Sequence, residues 1–126
     1  MILKLVFIFT LAFLLNLIWE NAHSFLYRHY KGSQITELVL IRAVLFDAFF
    51  ITFVSIFFNW MAFFRDRLWL FVLIGIVFAL GLELFALKTS RWQYNRRMPL
   101  IPLVKVGMTP SIQLGLLGYI VLLIFK

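Results

Sequence analysis

Residues 68–102 read LWLFVLIGIVFALGLELFALKTSRWQYNRRMPLIP, an apolar run over 68–87 that gives way to a basic, aromatic and proline-containing segment. At about 1.5 Å of rise per residue, a helix over that run crosses a hydrocarbon layer about 30 Å thick. Gly75, Ala79 and Glu83 recur every four residues and so share one face of that helix. Two small residues admit a close neighbour, and a carboxylate on the same stripe must face protein rather than lipid.

Composition places the whole chain in the same solvent. Of 126 residues, 64% are hydrophobic and 13% charged, with sixteen Phe, four Trp and a mean hydropathy of +1.03, more apolar surface than a soluble fold can hide. The formal charge of +7 does not point to nucleic acid, because the cations sit at the ends of apolar segments, where they meet headgroups, and no nucleic-acid-reading module accompanies them. The absence of cysteine excludes disulfides, thiolate metal sites and a thiol nucleophile. No cofactor is assigned.

Outward from the opening stretch, three more spans are read. Residues 2–22 form a run too long for a signal-peptide core, and no small-x-small cleavage pattern follows it, so it is read as a retained span. Its Ala12, Asn16, Glu20 and His23 fall on one helical stripe. Residues 36–60 form a second span, with Ser33 or Thr36 as cap, Glu37 in the first turn, and two charged residues inside: Arg42, roughly 7 Å deep, and Asp47, roughly 15 Å deep. Ala43, Asp47 and Ser55 are read as its protein-facing stripe. Residues 110–125 form the last span, opened by Thr109 as cap with Pro110 in the first turn, and Ser111, Gly115 and Gly118 share a face. The expected fold is therefore one all-α domain over 1–126, an integral membrane four-helix bundle with spans at about 2–22, 36–60, 68–87 and 110–125.

The connections differ in kind. Residues 24–34 mix rings and cations as headgroup-level segments do, with a turn at Gly32-Ser33 and His29 at the interface, whereas residues 61–67 make a tight hairpin. Residues 88–109 are too long for a turn and contain Pro99, Pro102 and Gly107, which argues for a re-entrant or interfacial path. Tyr119 and Lys126 read as anchors at the far surface. Seven cations on the two longer connections (Arg28, Lys31, Lys88, Arg91, Arg96, Arg97, Lys105) against four on the terminal side (Lys4, Arg65, Arg67, Lys126) put those connections in the cytoplasm and the termini outside, as in a bacterial or archaeal inner membrane.

This arrangement predicts a site. Glu20, Arg42 and Glu83 fall at similar depth near the longer connections, with His23 and Arg91 above and Asp47 below. One reading pairs the charges as struts between helices. Another leaves a carboxylate, Glu20 or Glu83, to exchange protons beside His23. A third makes Glu20-x-x-His23 half of a metal site, but such sites want a second Glu-x-x-His, and this chain has none; no metal ligands are assigned. Arg91, Arg96 and Arg97 would clamp an anionic headgroup, with Trp92 stacking, Tyr94 and Asn95 beside them and Gln113 completing the pocket.

The pattern WENAH…LYRHY, then Arg42 to Asp47, then ELFALKTSRWQY with MPLIP and TPSIQ resembles a small four-span family of microbial membrane proteins, a resemblance that implies no activity. Glu83, Trp92, Tyr94 and Pro99 also resemble part of the motif of membrane-embedded carotenoid-modifying enzymes of the lycopene cyclase type, which protonate a polyene with carboxylates. The acidic residues that follow the proline there are missing here, so no catalytic residue is carried over.

The expectation is a membrane protein whose polar pocket binds or modifies an anionic or isoprenoid lipid by acid-base action. Two alternatives stand beside it: a non-catalytic subunit bound to a membrane-protein partner, and a small proton- or ion-coupled transporter, for which four spans would require a homo-oligomer.

Overall fold

The computed structural model describes residues 1–30, 37–89, 92–102 and 105–125, without the side chains of 25 and 27–30. The expected cap at Ser33 or Thr36, the Gly32-Ser33 turn, Lys31, Arg91, Lys126 and the side chains of Arg28 and His29 lie outside the described residues.

Four long helices form a bundle: α1 (Ile2–His23), α2 (Glu37–Trp60), α4 (Leu70–Lys88) and α5 (Met108–Phe125), each long and apolar enough to cross a membrane. A single helical turn, α3 (Ala62–Arg65), lies between α2 and α4. The chain is an all-α, multi-pass membrane protein. Its outward residues suit lipid: Phe49, Phe53, Trp69 and Val77 are all more than half exposed in the isolated chain, a surface no aqueous fold would present.

α5 is the central helix. Half of its span is buried, against 17 to 28% for the others, and it packs on α4, α1 and α2 in turn. Its contact with α4 rests on glycine, since a Cβ on Gly75 would overlap the Gly115 backbone and one on Gly118 would overlap the Phe71 ring. Small residues at facing positions let the two backbones meet, the usual means of helix association where lipid is as apolar as leucine.

The stripe Ala12, Asn16, Glu20 and His23 is buried as the spacing requires, and so is Gly75, Ala79 and Glu83. On α2 the buried face is Leu40, Val44, Ala48, Ile51, Ser55 and Phe58, which leaves Ala43 and Asp47 at its edge rather than its centre. That displacement matters, because α2 and α4 barely touch beyond the Phe50–Phe78 stack at 4.3 Å and the Phe46–Phe78 stack at 6.2 Å. Above these rings the two helices part.

The end of the bundle above that gap carries a feature that helix periodicity does not announce. After a 3-10 turn, Ser24–Leu26, strand β1 (Tyr27–Tyr30) pairs antiparallel with β2 (Trp92–Tyr94), and the Asn95 N–H donates to the Leu26 carbonyl at 2.8 Å. The chain then doubles back: Ile101 N–H donates to Val106, and Met108 N–H to Pro99. Lys105, at φ 55°, takes the left-handed conformation that closes this turn. Buried Met98 and Val106 seat the loop on the bundle. Thr109 does not cap α5, which begins at Met108, and Ser111 binds back to the Gly107 carbonyl at 2.6 Å.

Candidate functional site

Where α2 and α4 part, a cleft of about 330 Å³ reaches the centre of the bundle. Its polar residues are Glu20 from α1, Arg42 and Asp47 from α2, Glu83 from α4, Trp92 from β2 and Gln113 from α5. Its apolar walls include Leu40, Ala43 and Phe46 on one side and Ala79 and Leu82 on the other. Arg42, Phe46 and Leu82 are also exposed on the outer surface, so the cleft opens sideways between the two helices.

Gln113 organises the inner end. Its Nε2 donates toward Asn16 Oδ1 at 2.9 Å, Glu20 Oε1 at 3.1 Å and Asp47 Oδ2 at 3.1 Å. One amide thus ties α1 and α2 to its own helix, α5. The orientation of Asn16 is set independently, because its Nδ2 donates to the Ala12 carbonyl at 2.7 Å and leaves its oxygen to face Gln113.

Behind Glu20, outside the cleft lining, His23 Nε2 lies 3.0 Å from Glu20 Oε2 and its Nδ1 lies 3.0 Å from Thr109 Oγ1. Thr109 is also 3.4 Å from Met98 Sδ. The single hydroxyl proton makes two arrangements available. With neutral His23, Nε2–H donates to Glu20 and the threonine hydroxyl donates to Nδ1. With protonated His23, both ring nitrogens donate and the hydroxyl turns to the sulfur. In both arrangements Nε2–H donates to Glu20, so the ring orients that carboxylate in either protonation state of His23.

Glu83 is held by the ribbon. One of its oxygens, Oε2, accepts from Trp92 Nε1 at 2.8 Å and from the Tyr94 hydroxyl at 2.6 Å, short bonds typical of a carboxylate acceptor. Tyr94, outside the spans, has its phenol pushed above the ordinary range, first by burial and then by the charge of Glu83 and the bond to it; a backbone hydrogen bond with Gly107 opposes the shift. Trp92 and Tyr94 stand two apart on a strand and so share a face, the one signal in the sequence that could have joined both to Glu83.

Among the described residues the one ion pair is His23–Glu20. Arg42 lines the cleft and pairs with no carboxylate, so the strut arrangement in which it neutralises Glu20 or Glu83 is not what the side chains adopt. Arg96 and Arg97 are exposed beyond β2 and do not line the cleft. Asn95 shapes the turn that carries them, its Oδ1 accepting from the Arg97 N–H at 2.9 Å. No group of three potential metal ligands of the His, Cys, Asp or Glu type is found among the described residues. Sequence reasoning gave Asn16 a place on the stripe but no role, and read Thr109 only as a cap; both belong to the hydrogen-bonded chain around Glu20.

The fold and this cleft define a multi-pass membrane protein in which, among the described residues, three carboxylates and one guanidinium line a laterally open recess. Comparison of the chain with protein-family models, with curated proteins and with solved structures gave no match.

Proposed function

We propose that the chain binds a lipid of isoprenoid or similar apolar character in the cleft between α2 and α4 and exchanges protons with its inner end through Glu20, Asp47 and Glu83. The observation that carries this reading is the convergence of carboxylates from three helices on a recess whose remaining walls are apolar and whose mouth opens sideways. Carboxylates within a span are costly, and the cost is met where they serve a bound molecule or a proton path. A volume of about 330 Å³ stands at the lower end of small-molecule pockets, so the cleft takes one end of a lipid while the rest lies along the helices. Strongly anionic headgroups are disfavoured inside, where among the described residues three carboxylates stand against Arg42 and the Arg96 and Arg97 side chains stay outside. On the same reading the ribbon end, which carries most of the cations, faces the cytoplasm and the termini face out.

Extraction of the protein with its surrounding lipid into polymer nanodiscs, followed by mass spectrometry, tests this directly. One lipid class enriched over the bulk membrane and lost in Ala43→Phe, which fills the cleft without replacing a polar residue, is the expected result. An unenriched lipid profile with a stoichiometric partner protein instead would favour the subunit reading and end this one.

A further inference from the structure

The inner end of the cleft is unbalanced in hydrogen-bonding character. Three oxygens surround the Gln113 nitrogen, and Asn16 is locked by its bond to Ala12, so the Gln113 amide cannot turn over without setting its oxygen against theirs. Its carbonyl oxygen therefore faces the other way. Among the described residues no partner meets that oxygen or the second oxygen of Asp47. Gln113 is only 4% exposed, yet among the described residues the sole buried side-chain polar atom both sealed and unpartnered is Trp19 Nε1. The Gln113 carbonyl thus borders open space, and the space it lines is the cleft. A buried carbonyl without a donor is costly, and groups of this kind call for a ligand or water.

The donors nearby are already committed. Trp92 and Tyr94 donate to Glu83, the Gln113 nitrogen donates to three oxygens, and His23 stands behind Glu20. Among the described residues that line the cleft, only Arg42, on the exposed edge at the mouth, is left to donate into it.

We infer that the lipid end received between Asp47 and Gln113 carries hydrogen-bond donors, a hydroxyl or a protonated amine, and not a phosphate or carboxylate. The inference rests on the lipid-cleft reading and narrows it to a donor-headed amphiphile. A hydroxyl donates to one of the two open oxygens, and an ammonium reaches both and meets the Asp47 carboxylate as well.

Three probes with one tail separate the possibilities: dodecanol, dodecylammonium and dodecyl phosphate, titrated into the protein in phosphatidylcholine nanodiscs and read by native mass spectrometry. The alcohol or the ammonium should bind at least about tenfold more tightly than the phosphate, the ratio expected from one well-made hydrogen bond at a buried acceptor. Asp47→Asn should weaken the ammonium far more than the alcohol if the natural head is an amine, and both about equally if it is an alcohol. Phosphate binding as tight as the best donor, or donor binding indifferent to both Asp47→Asn and Gln113→Leu, would overturn the inference. Should Gln113→Leu fail to fold, the wild-type ranking and Asp47→Asn still decide. Ala43→Phe keeps the two levels apart: if it abolishes binding while phosphate is preferred, only the donor inference fails, and if no probe responds to it, the cleft reading fails.

Discussion

Replacing Gln113 with leucine keeps the volume of the side chain near constant and removes the nitrogen on which three acceptors depend. An amide nitrogen carries two hydrogens, so the three contacts are worth about two hydrogen bonds. The acceptors left behind are not equally exposed to rescue. Asn16 is fully buried, and its oxygen would bear most of the roughly 1–3 kcal/mol cost of an unsatisfied group. Glu20 keeps His23 on its other oxygen, and Asp47 borders the cleft, where water can replace the lost donor. Membrane hydrogen bonds average about 0.6 kcal/mol in double-mutant cycles, which lowers the total further. Gln113→Leu should therefore destabilise by about 1–2 kcal/mol, against less than about 0.5 kcal/mol for Ile112→Leu on the neighbouring exposed position. Reversible unfolding in mixed micelles, monitored by circular dichroism, measures both. A Gln113→Leu cost no larger than that of Ile112→Leu would show that the amide does not hold the inner end of the cleft together.

Two further outcomes follow from the packing and the ribbon. Gly75→Ala should cost about 1–3 kcal/mol by forcing α4 off α5, whereas Gly81→Ala, where a Cβ meets nothing within 4 Å, should be neutral or stabilising by up to about 1 kcal/mol through helix propensity; the same unfolding assay separates them. Because folding raises the Tyr94 pKa, the native state holds that proton more tightly than the unfolded chain, so its contribution is complete below about pH 10 and is lost as pH rises beyond. Thermal stability should fall above about pH 10 less steeply in Tyr94→Phe, and the wild-type minus variant absorbance titration should show no tyrosinate at the ordinary pH; a normal titration there would contradict the buried bond to Glu83.

Much of the bundle was legible because periodicity in an apolar chain carries few competing signals. Small and polar residues at spacings of three and four stand out against Leu and Phe, and the buried stripes of α1 and α4 follow from them directly. The depth argument likewise brought Glu20, Arg42, Asp47 and Glu83 to one cleft. On α2 the same reasoning misjudged the face by following the charge at Asp47, when the buried row runs through Val44 and Ala48 and the carboxylate sits at its edge. What was not legible depends on contacts between segments far apart in the chain. The ribbon that brings Trp92 and Tyr94 onto Glu83 pairs two loops more than sixty residues apart, and neither segment is long or alternating enough to read as a strand. The basic run was read as a clamp from its density alone; the turn built by Asn95 carries Arg96 and Arg97 away from the recess.

Where a lipid chain lies against the bundle tests the cleft most directly. A photoreactive fatty alcohol, activated in nanodiscs containing the protein and mapped by peptide mass spectrometry, should label Ala43, Phe46 and Leu82 in the cleft well above Phe53 and Val77 on the outer surface. Labelling confined to Phe53, Val77 and other outward positions, with the cleft residues untouched, would contradict it.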